Sequence, residues 1–193
     1  MQLRSFTQIV LTLSFLLFLT PSVKAQTFEI QSGVYTANGF YVGPLGASLD
    51  GDPITVYCDD FDHEVNFGDS WQVTVNTFQD IPDTRWQDLR KYENIAFLIE
   101  QMNQDLPDVG AIQEAIWMED SSNPALVNTQ STYWFNLAAS QDFTNTDFSE
   151  FRILTPTDPN NYQEMIDVVP EPSTIAMAIL GLGLVVVAVR RKA

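Results

Sequence analysis

The sequence predicts an α+β domain in which β-strands flank a central set of about three helices. Residues 71–76 alternate between apolar and polar side chains, which is the period of a half-buried strand. Between residues 86 and 102 the apolar side chains recur at helical spacing, which predicts an amphipathic helix. Strand-like runs return at 151–154 and 162–168. Strands followed by helices and then by strands indicate the α+β class.

The first half of the domain carries the other strand signals. Phe28–Thr36 alternates loosely and predicts a strand, and the short β-rich run Ile54–Cys58 predicts another. Residues 38–53 lie between them and contain four glycines and two prolines. Because Gly and Pro favour turns, we expect this stretch to be a loop. The Phe67-Gly68-Asp69 stretch indicates a turn before the next strand.

Three helices are expected in the middle of the domain. The first follows Pro82, with Asp83 or Thr84 as its N-cap, and runs for about five turns. A proline and a glycine within residues 106–110 interrupt the pattern, and a second helix is predicted over Ala111–Glu119. Asn123-Pro124 is a favourable start for the third helix.

The N-terminal 25 residues have the features of a secretory signal peptide. Arg4 supplies the positive charge, an apolar core covers residues 9–19, and small residues precede a cleavage point between Ala25 and Gln26. The apolar core is too short for an ordinary membrane span, so an N-terminal anchor is the weaker alternative. We therefore expect signal peptidase to release a chain that begins at Gln26.

The other end of the chain predicts a transmembrane helix. An uncharged stretch, Thr174–Val189, is followed directly by a membrane stop of three cations, Arg190, Arg191 and Lys192. Such a cluster stays on the cytoplasmic side, which leaves the residues before Pro170 outside the membrane. A buried terminal helix is the alternative, and it does not account for the three cations.

The last 25 residues resemble the PEP-CTERM sorting tail. The resemblance lies in Pro170-Glu171-Pro172, followed by the apolar stretch and the terminal basic cluster, in that order. It implies a tail over 169–193 that an exosortase recognises and cuts near the Pro-Glu-Pro. It also implies a Gram-negative host that makes extracellular polysaccharide, and delivery to the cell envelope, the cell surface or a biofilm matrix.

The exported domain, residues 26–168, is strongly acidic. Between Gln26 and Val169 there are 24 acidic and 4 basic side chains. Nucleic acid is therefore excluded as a partner, since phosphate neutralisation needs clustered Lys and Arg. The charge favours solubility and mutual repulsion at the surface, and weak binding of divalent cations is the alternative. No cofactor motif is present, and no metal centre is predicted.

Cys58 is the only cysteine of the chain, which is unusual in an exported protein. It could be a buried structural thiol, half of an intermolecular disulfide, a nucleophile, or a sulfur already bonded to another group. His63, the only histidine, is a weak candidate for its base, because a five-residue spacing in a strand places the two side chains on opposite faces. One Cys and one His cannot form a zinc site. The nearby acids Asp59, Asp60, Asp62 and Glu64 are expected to form a solvated loop rather than a calcium site.

Two short stretches resemble the motifs of bacterial surface thioester domains. The first is Tyr57-Cys58 followed by aspartates, and the second is the IQEAIW stretch over residues 112–117. The resemblance covers residues 56–119 and implies a thioester between Cys58 and Gln113. It also implies that Tyr57 and Trp117 shield this bond from water. The wider layout of the domain resembles a group of PEP-CTERM proteins to which no activity is attached.

These observations predict a surface-delivered protein that is not a turnover enzyme. The leading hypothesis is adhesion, with a covalent bond from the Cys58–Gln113 thioester to an amine on a surface or matrix polysaccharide or protein. The rival hypothesis is a non-covalent structural or carbohydrate-binding matrix protein in which Cys58 is a buried structural thiol. A hydrolase is the third option. The many acids of the domain could include a catalytic carboxylate pair, but no pair stands out from the other surface acids.

Overall fold

The structure is a computed structural model that describes residues 24–104 and 108–169. Apart from Lys24 and Ala25, the predicted signal peptide lies outside the described residues. Apart from Val169, so does the predicted sorting tail with its transmembrane helix. Within the described ranges, no helix combines the length and the apolarity needed to cross a bilayer.

Six strands form a closed antiparallel barrel with the strand order β1-β2-β3-β6-β5-β4, and β4 pairs again with β1. The strands are β1 (Gln26–Ala37), β2 (Phe40–Leu49), β3 (Asp52–Cys58), β4 (Ser70–Asn76), β5 (Phe151–Pro156) and β6 (Met165–Val168). Between β4 and β5 the chain leaves the barrel, and its described residues form three α-helices, α1 (Leu89–Gln104), α2 (Val109–Trp117) and α3 (Thr129–Ala139).

The first three strands are joined by two tight hairpins. Asn38-Gly39 connects β1 to β2, and Asp50-Gly51 connects β2 to β3. All four residues have positive φ, between 51° and 90°. Two-residue loops of this kind match the right-handed twist of the flanking strands, and Asn-Gly and Asp-Gly are their preferred sequences. These two dipeptides therefore set the pairing of the first three strands next to each turn.

The predicted α+β class is wrong, because the strands close into one mostly β barrel instead of flanking the helices. The main error is β2, which lies inside the stretch predicted as a loop. Its Gly43-Pro44 dipeptide falls at a register shift, between the pairs Tyr35↔Val42 and Gly33↔Leu45. At such a bulge the chain leaves the regular ladder, so the missing N–H of proline costs no hydrogen bond.

The helices are present as predicted, with shifted boundaries. The first begins at Leu89 rather than just after Pro82, because Ile81–Asp83 forms a separate 3₁₀ turn. The third begins at Thr129, where Asn128 and Ser131 form a reciprocal capping box. A short 3₁₀ turn occupies the Asn123-Pro124 start that the sequence indicated.

Helix α2 is buried on nearly every side. Ile112, Ala115 and Ile116 have no exposed surface, and Gln113 in the same turn is equally buried. The helix packs between α1 and α3 and against β1 and β2 of the barrel. Fully burying each isoleucine contributes about 1.5–3 kcal/mol, so this packing fixes the position of α2 firmly. It also brings the polar side chain of Gln113 to the barrel wall.

Candidate functional site

Cys58 lies at the end of β3, where the strand leaves the barrel, and only 4 % of its surface is exposed. Its thiol donates a hydrogen bond to the Asp60 carbonyl oxygen at 3.1 Å. The indole Nε1–H of Trp117 donates to the sulfur at 3.5 Å. Among the described residues Cys58 is a free cysteine. The thiol is therefore held between a loop carbonyl and the last residue of α2.

The Gln113 carboxamide lies against the Cys58 backbone. Its Nε2 donates to the Cys58 carbonyl oxygen at 2.6 Å, and its Oε1 accepts from the Gly43 N–H at 3.2 Å. Both polar atoms of the side chain are thus satisfied, as a buried amide requires. These two bonds fix the carboxamide between β2 and β3.

Helix geometry explains why Gln113 and Trp117 both reach Cys58. Residues four apart lie on the same face of a helix, so the two side chains of α2 face the barrel together. Gly43 completes the arrangement, because its φ of +74° turns the bulge in β2 so that its N–H reaches the carboxamide. The structure therefore brings together the Cys58 and Gln113 regions that the sequence motifs singled out, 55 residues apart.

Burial determines the protonation state of the Cys58 thiol. Desolvation raises the pKa of the Cys58 thiol to about 12, with a smaller opposing effect from the Trp117 N–H and a further increase from the charge of Asp59. In the folded chain an unmodified Cys58 is therefore protonated at neutral pH and reacts slowly with alkylating reagents, since the thiolate is the nucleophile.

Aromatic rings form a cover around the indole that contacts the sulfur. The Trp117 ring packs against Phe61 at a centroid distance of 5.1 Å and against Phe40 at 6.0 Å. Tyr57, the other predicted shield, is buried, but its hydroxyl donates to Asn103 Oδ1 of α1 at 2.7 Å. Phe40 and Phe61 were not identified from the sequence. Their roles depend on the hairpin and loop that bring them beside Trp117, and the Asn38-Gly39 turn signal was the available clue.

A cavity of about 400 Å³ opens beside this cover. Cys58 and Trp117 line its inner end, and the walls come from the start of β2 and from the loop between β3 and β4. Polar residues also line it, including His63, Glu64 and Gln163. The cavity therefore gives a small molecule a route towards the buried sulfur.

The solvated acidic loop that the sequence predicted after Cys58 is only partly correct, because Asp62 and Glu64 are exposed but the first two acids are buried. Asp59 and Asp60 are 1 % and 0 % exposed. Asp60 forms a buried ion pair with Arg85, whose other terminal nitrogen donates to the Tyr162 carbonyl. This pair ties the loop to the chain entering β6. The partner of Asp60 lies 25 residues away in sequence, so the local acidic pattern gave no sign of it.

His63 belongs to the same loop and faces Asp60. Its Nδ1 lies 2.9 Å from Asp60 Oδ2 and 2.8 Å from Arg85 Nη1. No hydrogen bond joins it to Cys58 in the described part of the chain. The arrangement thus gives the histidine a place in the buried ion-pair network rather than beside the thiol.

Two further buried acids lie beside this network. Burial raises the pKa of Asp59 well above its ordinary value, and the nearby Glu164 raises it further. Burial also raises the pKa of Glu164, which accepts a hydrogen bond from the Tyr92 hydroxyl at 2.5 Å. Across residues 24–104 and 108–169, no group of three or more His, Cys, Asp or Glu side chains is arranged to hold a metal ion.

Comparison with known proteins identifies the C-terminal segment. Residues 168–192 match the PEP-CTERM protein-sorting motif. No curated protein and no solved structure matches the chain. The thioester resemblance therefore depends on the residues of the two motifs and on their geometry. The matched segment is a protein-sorting signal that an exosortase recognises. The chain is accordingly an exported, cell-surface protein.

Proposed function

We propose that this exported protein attaches itself covalently to an amine-bearing partner at the cell surface, through an internal thioester between Cys58 and Gln113. The sorting motif supports the delivery part of this function, with the exosortase as processing partner. The attachment part is carried by one observation. The Gln113 carboxamide and the Cys58 residue are held together in a dry site, and Trp117 of the same helix touches the sulfur.

Thioester formation balances without a cofactor. The Cys58 sulfur attacks the Gln113 Cδ, and the electron pair of the carbonyl moves onto Oε1. The Gly43 N–H, which already donates to that oxygen, would stabilise the negative charge. The electron pair on Oε1 then re-forms the C=O bond as the C–N bond breaks, and the departing NH₂ group takes up the thiol proton and leaves as ammonia.

The second step consumes the thioester. The amine of the partner attacks the same Cδ, the C–S bond breaks, and the sulfur returns to a thiol with a proton from the attacking nitrogen. The product is an amide between Gln113 and the partner. Each molecule performs this reaction once, so the proposal describes a single-use attachment device and not a turnover enzyme.

The aromatic cover has a direct role in this scheme. A thioester is lost if water reaches it, and the contacting rings of Phe40, Phe61 and Trp117 beside the buried Cys58 would slow this loss. The adjoining cavity provides access for a partner amine. Shielding by the rings and access through the cavity would together let the thioester persist until a partner amine enters.

Capture of a labelled amine tests the proposal. The exported chain is incubated with a biotin-labelled alkylamine, and the label is located by peptide mass spectrometry. We expect label on Gln113 in the unmodified chain and none in Cys58→Ala. Gln104, exposed at the end of α1, provides the control, and the Gln104→Glu variant should label normally. Equal labelling of Cys58→Ala, or label on other glutamines only, would refute the covalent function.

The rival function is non-covalent binding by the same cavity, with Cys58 as a structural thiol. The exposed aromatic side chains around the cavity favour it as the second candidate. It predicts a free Cys58 that is alkylated stoichiometrically once the freshly purified chain is denatured. A chain carrying the thioester would resist alkylation under the same conditions.

A further inference from the structure

The cavity beside Cys58 has aromatic faces exposed to solvent at its mouth. Tyr41 is 51 % exposed and Phe67 39 % exposed, and their ring centroids lie 4.5 Å apart. Phe40, also 39 % exposed, continues the surface inwards to Trp117. Large apolar side chains are normally buried, so a contiguous exposed set that lines a cavity indicates a ligand surface. Flat aromatic faces suit the apolar face of a sugar ring, or a cation.

Residues with polar side chains also line the cavity. His63, Glu64, Asn66 and Gln163 line the same cavity. A few polar groups placed in an aromatic cavity fix the orientation of a ligand that itself carries hydroxyl or amino groups. The cavity volume of about 400 Å³ lies within the range of about 300–1,000 Å³ that is usual for small-molecule sites.

Charge narrows the choice of ligand. Glu64 is one of the residues that line the cavity, and the exported domain carries 24 acidic against 4 basic side chains. The field of such a domain attracts cations and repels anions. Acidic polysaccharides and phosphorylated sugars are therefore disfavoured, whereas a sugar with a free amino group is favoured by both Glu64 and the aromatic rings.

We propose that this cavity binds amino-sugar units of a partly deacetylated polysaccharide and presents their amines to the thioester. The covalent step depends on the function proposed above, and the binding step does not. In the covalent step the sugar nitrogen forms an amide to the Gln113 Cδ, the C–S bond breaks, and the nitrogen proton passes to the Cys58 sulfur. The amine of an amino sugar suits this step, because neighbouring hydroxyls lower its pKa below the value of about 10.4 for lysine.

Calorimetry on the exported Cys58→Ala chain tests the binding step without covalent capture. The probes are a glucosamine tetrasaccharide, its fully N-acetylated form and a lysine-containing peptide. We expect saturable binding of the glucosamine tetrasaccharide, at least about tenfold tighter than binding of either other probe. Tyr41→Ala should weaken it about tenfold, and Glu64→Gln about two- to fivefold.

Two matched controls lie away from the cavity. Tyr133→Ala removes a tyrosine of similar exposure on α3, and Asp52→Asn removes an exposed carboxylate on β3. Both variants should bind the glucosamine tetrasaccharide as the parent does. Binding that is absent, that is insensitive to both Tyr41→Ala and Glu64→Gln, or that favours the lysine peptide would overturn the inference.

Mass spectrometry of the unmodified chain separates the two proposals. After incubation with the glucosamine tetrasaccharide we expect an adduct on Gln113. If the thioester is present but only the lysine peptide forms an adduct, the amino-sugar inference fails and the covalent function stands. If the tetrasaccharide binds to a chain that has no thioester, the covalent function fails and the binding inference stands.

Discussion

Replacement of Gly43 by alanine tests the bulge that holds the Gln113 carboxamide. Gly43 has a φ of +74°, and an added Cβ would lie 2.6 Å from Val109 Cγ1. The left-handed backbone costs an alanine about 1–2 kcal/mol. Overpacking against a stiff, β-branched valine adds about 1–3 kcal/mol. We therefore expect Gly43→Ala to lower the free energy of unfolding by about 2–5 kcal/mol.

Gly39→Ala is the matched control. Gly39 also has positive φ, +87°, but an added Cβ would meet nothing within 4 Å. Only the backbone cost applies there, so we expect a loss of about 1–2 kcal/mol. Urea unfolding of the exported chain, followed by tryptophan fluorescence, measures both variants. Val109→Ala should relieve the clash, and the double variant Gly43→Ala/Val109→Ala should lose less stability than the two single variants summed.

Two results would contradict this reasoning. One is a Gly43→Ala variant that is no less stable than Gly39→Ala. The other is strict additivity of Gly43→Ala and Val109→Ala, which would show that α2 does not pack against the bulge as the structure has it.

Two further predictions concern buried charges. Arg85→Met removes the permanent cation beside the buried Asp60 and leaves only His63 next to it, so it should cost about 3–5 kcal/mol. Lys91→Met breaks a partly exposed pair and should cost about 1 kcal/mol or less. Equal losses in urea unfolding would contradict the burial of Asp60. Burial raises the pKa of Glu119 from its ordinary 4.5 to about 7, so the folded state keeps this proton to higher pH and the free energy of unfolding falls as the pH rises between those values. Glu119→Gln should therefore leave stability near pH 4 unchanged and raise it at pH 8 by up to about 3 kcal/mol, and a variant that is destabilised at pH 8 would refute the assignment.

The sequence revealed the helices because their apolar periodicity is local. It also singled out Cys58 and Gln113, since a lone thiol in an exported chain is conspicuous and the IQEAIW stretch is distinctive. Burial of Gln113 could not be read from periodicity, because a glutamine at a helix start is normally exposed. Only the packing of α2 against two other helices and the barrel buries it.

Barrel closure depended on long-range pairing that local patterns do not encode. Strand β2 contains glycines and a proline, and these residues led to the prediction of a loop despite the apolar residues around them. The Asn38-Gly39 and Asp50-Gly51 dipeptides nevertheless indicated a hairpin on each side of this strand. The pairings β1–β4 and β3–β6 join segments that are far apart in the chain. The burial of Asp60 depends likewise on Arg85, a distant residue that an acidic run does not predict.

The mass of the intact, exported chain under denaturing conditions tests the central claim most directly. Gln26 at the new N-terminus can itself lose ammonia by cyclisation, so the unmodified chain must be compared with Cys58→Ala, in which that loss also occurs. After allowance for the substitution, we predict that the unmodified chain is lighter than Cys58→Ala by one ammonia and has no alkylatable thiol. Equal corrected masses, with Cys58 fully alkylated in the freshly purified chain, would contradict the thioester.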